Sequence, residues 1–411
     1  MIRDKWSRRP DSRQADSAGQ DAIARADAAH AGRPRLSPAP HRPFWWAAVG
    51  VAFALGAAVG PVAASAAQNQ QTAGGQHAAA TYRPFPHLSH IFVIMMENTS
   101  YSDLLSPANQ YTKYIQYLAG TYGLAANYYG VTHVSMPNYI AATSGSTWGS
   151  NSDDVSQAPL LNHQNLVDQF AAAHVSWKAY MQDLPYPGDL VNVTTNGLYV
   201  RKHDPFLLYP DVYNNPARAQ NVVPLTQLST DLTTGNVPQF VWITPNACND
   251  MHGGAAQCPY PSSPTDPNQA RLYTDGNNFL RTWVNRIMNS PAWNGRSAIF
   301  ITWDEGSYAD TSPYGPLDLR GGPDSPILPA TPVNPSSGSG GDLSGGTVYG
   351  GGHVPMLVIA SGVGHVVDYT PADHYSLLRT IEENFGLPLL GNAGDSVQVH
   401  SLAALLRPGR R

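Results

Sequence analysis

Two pairs of chemically active residues stand where apolar runs end. The run "HIFVIMM" (90–96) passes directly into Glu97-Asn98, and "SAIFITW" (297–303) passes into Asp304-Glu305. A third run, "QFVWITP" (239–245), leads into Asn246, Asn249, Asp250 and His252. A fourth, "PMLVIAS" (355–361), is preceded by "GGGH", ending on His353. One acid at a strand end is ordinarily a turn or cap residue. Acids at several strand ends differ, because the carboxyl ends of strands in an open α/β sheet share one edge, where ligands bind. Carboxylates gathered there repel one another, and a cation is the group that neutralises them. Carboxylate and amide oxygens suit hard cations such as Ca²⁺ or Mn²⁺.

A hydroxyl accompanies these acids. The stretch "THVSMPNYIAATSG" (132–145) sets Ser135 at the start of an amphipathic segment. Ser135 reads first as an ordinary helix N-cap. That position also favours an activated hydroxyl and a bound anion. No G-x-S-x-G elbow occurs in the chain, which counts against a serine esterase.

The elements that must position these groups follow from the pattern. The four runs are continuously apolar rather than alternating, as strands covered on both faces require. Helices are expected over 165–174, 277–290 and 373–386, the last opening on Asp373 as N-cap and closing on a glycine. Asp373-His374 therefore reads as a helix start, not a ligand pair. Alternation of strand and helix predicts a three-layer α/β/α sandwich with a largely parallel central sheet. The glycine-rich tract 335–353 reads as a surface insertion or as a flap beside the site.

Composition sets the limits. The 411 residues are 42% hydrophobic and 13% charged, enough apolar content for a packed core. Residues 1–42 carry a net charge of +4, leaving −9 for the remainder. A nucleic-acid binder needs the opposite sign over its folded part, so that class is excluded. Residues 1–42 read as a disordered basic region, 68–86 as a linker, 87–406 as the folded domain and 407–411 as a basic tail. Within 43–67, the uncharged run Phe44–Ala67 reads as a signal peptide or an uncleaved membrane anchor. Either reading places the domain outside the cytoplasm, secreted or held at a membrane. Cys248 and Cys258 are then expected as a short disulfide, with two buried thiols as the alternative.

Eight stretches in order carry a family resemblance: "FVIMMENTSYSDLL", "HVSMPNYIAATSGS", "LVDQFAAAHVSWKAYMQDLP", "YVRKHDPF", "WITPNACNDMHGG", "TWDEGSYAD", "GGHVPMLVIAS" and "DHYSLLRTIEENFGL". From about His90 to Leu387 the chain resembles the bacterial phosphoesterase family of secreted acid phosphatases and phospholipases C, a distant branch of the alkaline phosphatase superfamily. The resemblance implies a metal-dependent hydrolase of phosphate esters that passes through a phosphoserine. It implies Glu97, Asn98, Ser135, Asp304 and Glu305 as metal ligands, with Ser135 also the nucleophile, and by superfamily analogy it adds Zn²⁺ to the candidate ions. It places His203 and His252 against the phosphoryl group, and Asn98, Lys202 and His353 with the substrate. Where relatives show two aspartates this chain has Asp304-Glu305, and Asp204 stands where many have Asn.

That chemistry is physically coherent. A serine hydroxyl is a weak nucleophile at neutral pH until a metal or base stabilises its alkoxide. Equatorial phosphoryl oxygens need donors, and a histidine suits protonation of the leaving alkoxide. The expected substrate is a small phosphorylated compound or a lipid phosphate. A phospholipase C is the alternative, disfavoured because such relatives tend to be longer; a non-catalytic membrane-anchored binding protein is more distant.

Overall fold

The computed structural model describes residues 85–263, 265–307 and 350–407. The expected basic region 1–42, the apolar segment 43–67, the linker up to residue 84, the glycine-rich tract up to residue 349 and the tail from residue 408 lie outside the described residues.

In chain order the strands are β1 (His90–Met96), β2 (Gly123–Ala125), β3 (Tyr128–Tyr129), β4 (Trp177–Met181), β5 (Val222–Pro224), β6 (Phe240–Thr244), β7 (Ser297–Trp303), β8 (Met356–Ala360), β9 (Val366–Asp368) and β10 (Ala372–Asp373). Eight of them form one sheet in the order β5-β4-β6-β1-β7-β8-β2-β9, and β10 pairs with β3 separately. β1 runs parallel to β6 and β7, in register from His90 opposite Ser297 to Met96 opposite Trp303. β8 alone is antiparallel to both of its neighbours. The residues that precede β8 therefore share an edge with those that follow β1, β6 and β7.

Helices cover the sheet. The principal ones are α1 (Lys113–Thr121), α2 (Ser135–Ser144), α3 (Leu166–Ala173), α4 (Pro267–Met288) and α5 (His374–Phe385). α5 packs on α2, and α4 packs on α1. Ile91 to Met96 are wholly buried, as are all five residues of β6 and all seven of β7. This is why those strands read as unbroken apolar runs. The expected three-layer architecture is the one observed.

Local signals explain most boundaries. The Asn165 side chain accepts from the Val167 amide at 2.9 Å and Asp168 returns a bond to the Asn165 amide, a capping box that opens α3. The Asp373 carboxylate accepts from the Tyr375 and Ser376 amides, and Gly386 closes α5 at φ +69°. Gly145 ends α2 at φ +79°, where a Cβ would lie 2.2 Å from the Leu390 carbonyl oxygen. Two differences stand out. α4 begins ten residues before the expected Asn277, because Gly276 does not break it; a Cβ there would meet Met251 Cε at 2.5 Å. β4 was not expected, because Lys178 interrupts its apolar run; the ammonium reaches Asp231 at 2.7 Å.

α5 also carries a buried acid. Glu382 Oε1 accepts from the Leu390 amide at 2.9 Å and from Gln169 Nε2 at 3.2 Å, and burial pushes its carboxyl up to about 8. The folded chain thus keeps a proton that the unfolded chain, with a carboxyl near about 4.3, releases. The folded state binds more protons between those values, so this residue's contribution to stability declines as pH rises from about 4.5 to 8. Urea unfolding should show a lower midpoint at pH 8 than at pH 5, and Glu382→Gln should remove part of that fall. Identical pH slopes in the variant and the parent would refute this assignment.

Candidate active site

The C-terminal ends of β1 and β7 lie side by side, and the residues beyond them meet. Asn98 adopts φ +43°, a turn that leaves its amide donating to Asp304 Oδ1 at 3.0 Å. The Glu97 amide donates to the Asp250 carbonyl at 2.8 Å, fastening the segment after β6 to the end of β1. His374, the first residue of α5, bridges the Tyr128 hydroxyl at 3.0 Å and the Asp304 carbonyl at 2.6 Å. Its position follows from the Asp373 cap.

Ser135 sits among these groups. It is the first residue of α2 rather than its N-cap, which is Val134. Its Oγ donates to Glu97 Oε2 at 2.9 Å and lies 3.4 Å from both Asn98 Oδ1 and Glu305 Oε1. Glu97 Oε1 accepts from the Tyr139 hydroxyl at 2.7 Å, one helical turn beyond Ser135. Glu305 Oε2 is bound by His133 Nδ1, two residues before the serine.

Histidines flank the acids. His203 Nε2 lies 3.3 Å from Glu97 Oε1, and its Nδ1 lies 3.4 Å from Asp250 Oδ2. These are ion-pair distances without hydrogen-bond alignment, since neither His203 Nε2 nor Asp250 Oδ2 has a hydrogen-bond partner. His252 meets His203 edge to face at 5.1 Å between ring centroids, and its Nδ1 is bonded to the Gly253 carbonyl at 2.9 Å. Glu97, His203 and His252 each offer a donor atom within 4.8 Å of the others. Lys202 Nζ rests on Asp153 Oδ2 at 2.6 Å.

The electrostatics are unfavourable as they stand. Burial pushes the Glu97, Asp250, Asp304 and Glu305 carboxyls well above the usual range. Repulsion among the carboxylates adds to the effect; Asp304 raises both Glu97 and Asp250. Burial lowers His203 well below its ordinary value and lowers His252 to about 4, and Lys202 reinforces both. Asp304 Oδ2 is buried without a hydrogen-bond partner. Buried carboxylates at this density are stable when a cation coordinates them. The donor set of carboxylate, amide and hydroxyl oxygens, with histidine nitrogens on one flank, fits a divalent metal.

Of the expected site residues, Glu97, Asn98, Ser135, Asp304 and Glu305 come together, with His203 and His252 beside them. His353 does not join this group through its ring. It is stacked on Tyr101 at 4.3 Å and tilted against Tyr129 at 5.1 Å, and its Nε2 is bonded to the Ala126 carbonyl at 2.8 Å. Its ring is thus packed against tyrosines at the same sheet edge. Sequence reasoning missed His133, Tyr139 and Asp153. The first two lie within four residues of Ser135 on the segment that carries it, which is the signal that could have found them. Asp153 has no such signal. Cys248 and Cys258 are joined as a disulfide with Cα atoms 5.6 Å apart.

Comparison with known proteins gives the family of the chain. The chain is 29% identical to an acid phosphatase of Aspergillus fumigatus over 330 residues, covering 77% of this chain and 61% of that relative. It is 25% identical to a phosphatidylinositol-3-phosphatase of Mycobacterium tuberculosis over 315 residues, 75% of this chain and 80% of that one. Among solved structures, an alkaline phosphatase superfamily protein of Vibrio parahaemolyticus aligns over 80% of this chain and 72% of its own, at 11% identity and a TM-score of 0.46. The chain spans less than two thirds of the fungal acid phosphatases it matches, 61% and 65% of the first two. The Phosphoesterase family profile matches residues 106–388, well over half of the sequence, and the chain belongs to that family.

Proposed function

We propose that this chain is an exported, metal-dependent phosphomonoesterase that hydrolyses phosphate esters through a phosphoserine on Ser135. The observation that carries this reading is the placement of the Ser135 hydroxyl, 2.9 Å from Glu97 and 3.4 Å from Asn98 and Glu305 at the N-terminus of a helix. A divalent cation held by Glu97, Asn98, Ser135, Asp304 and Glu305 would supply Lewis-acid stabilisation of the serine alkoxide and of phosphoryl charge.

The chain's own groups account for the proton traffic. Glu97 Oε2 takes the proton from Ser135 Oγ as the Oγ–P bond forms and the bond from phosphorus to the leaving oxygen breaks. The Tyr139 hydroxyl holds Glu97 Oε1 in place while its charge changes. His252, protonated beside the bound dianion, gives its proton to the leaving alkoxide. Water then attacks the phosphoserine, returning a proton to His252, and Glu97 reprotonates the freed serine. The Asn98 carboxamide would donate to a phosphoryl oxygen, and the positive end of the α2 dipole favours the developing charge.

Export is supported by the uncharged run 44–67 and by the disulfide, which suits an oxidising compartment. Among the described residues no helix is long and apolar enough to cross a membrane. The mycobacterial relative, named for a phosphorylated lipid, favours lipid phosphates as a second substrate class.

Ser135→Ala should lower p-nitrophenyl phosphate turnover by about 10³-fold or more while leaving the circular dichroism spectrum unchanged. Retention of a tenth of parental activity would exclude Ser135 as nucleophile. Chelation with EDTA should abolish turnover, and Asp304→Asn should lower bound metal, with partial rescue by excess cation. Full activity after exhaustive chelation, or unaltered metal content in that variant, contradicts the metal assignment. Activity confined to the p-nitrophenylphosphorylcholine diester would instead indicate a phospholipase C.

A further inference from the structure

Asp153 lies outside every motif that singles out the site, yet its carboxylate joins two of the site's parts. Oδ1 accepts from the Met136 amide at 3.0 Å, and Met136 directly follows the serine. Oδ2 accepts from Lys202 Nζ at 2.6 Å, and Lys202 directly precedes His203. The two side chains are only 17% and 20% exposed, so solvent screens the pair weakly. Lys202 is also the cation whose field reaches Glu97, Asp250 and Glu305.

A lysine carries four rotatable bonds and about 2 kcal/mol of rotamer entropy, so an untethered ammonium points at a dianion only part of the time. Here a single carboxylate fixes the ammonium and the amide beside the nucleophile in one frame. Fixing donors before the substrate arrives removes that ordering cost from binding.

Resting on the phosphatase reading above, we propose that Asp153 is a positioning residue that holds Lys202 in register with the α2 N-terminus for recognition of the substrate's phosphoryl group. Its effect acts through Lys202 and falls mainly on KM. A contact that only capped the helix would change stability and be indifferent to Lys202.

The test is a double-mutant cycle on the metal-loaded full chain, with p-nitrophenyl phosphate as substrate and Ser135→Ala as the control. Asp153→Asn should raise KM about tenfold with kcat within about threefold. In a Lys202→Gln background the same change should alter KM by less than about twofold. Additive effects overturn the proposal, because Asp153 would then act independently of the lysine. A fall in KM also overturns it, because the carboxylate would be competing with the phosphoryl group. If Asp153→Asn fails to fold, Lys202→Gln alone decides, since it leaves the Met136 bond in place; an unchanged KM rejects the proposal. If the metal-loaded parent does not hydrolyse p-nitrophenyl phosphate, the phosphatase reading fails. If Ser135→Ala keeps full turnover, the nucleophile assignment fails. Additivity with an active parent and an inactive Ser135→Ala fails only the assignment of Asp153.

Discussion

The structure depends on one electrostatic constraint: Glu97, Asp250, Asp304 and Glu305 are all buried at one edge of one sheet. Burial and mutual repulsion both oppose their ionisation. The backbone nevertheless brings them together, because β1, β6 and β7 run parallel and end at the same level. Glu97, Asp304 and Glu305 are the first polar groups after buried strands, and Asp250 follows the end of β6 by six residues. A rigid sheet thus holds charges in a place that free side chains would leave, which is the condition for a preorganised site.

The supporting shell is built largely from α2 and α5. α2 supplies the serine and Tyr139 on one face, so the hydroxyl and the clamp on its acceptor move as one body. α5 braces the β7 end through His374 and packs against α2. Gly145 presses the far end of α2 against Leu390, a contact that a Cβ would forbid. The position of Ser135 is therefore set from both ends of its helix.

Much of this was legible in the sequence, for identifiable reasons. β1 and β7 were read to the residue because total burial demands uninterrupted apolar runs. α5 was readable from its cap and terminal glycine. β4 was hidden by Lys178, whose charge is answered by a residue 53 positions away. The direction of β8 was not encoded in its own residues, since a buried strand has the same pattern in either orientation. At the site, acids at strand ends announced themselves through a break in hydropathy. His353 gave the same signal before β8, where its ring packs between Tyr101 and Tyr129. Asp153 gave none, because its partners are a backbone amide and a lysine 49 positions away.

The reversal of β8 has a geometric corollary. A bond of 2.6 Å from the Gly306 amide to the Gly351 carbonyl ties the segment that follows β7 to the segment that precedes β8. Such a connection starts and finishes at a single point on this edge of the sheet. Doubling its length would cost only about 0.6 kcal/mol in closure entropy. Changes of length between these two anchored ends therefore leave the register of β7 against β8 in place, because the bond joins the ends independently of what they span.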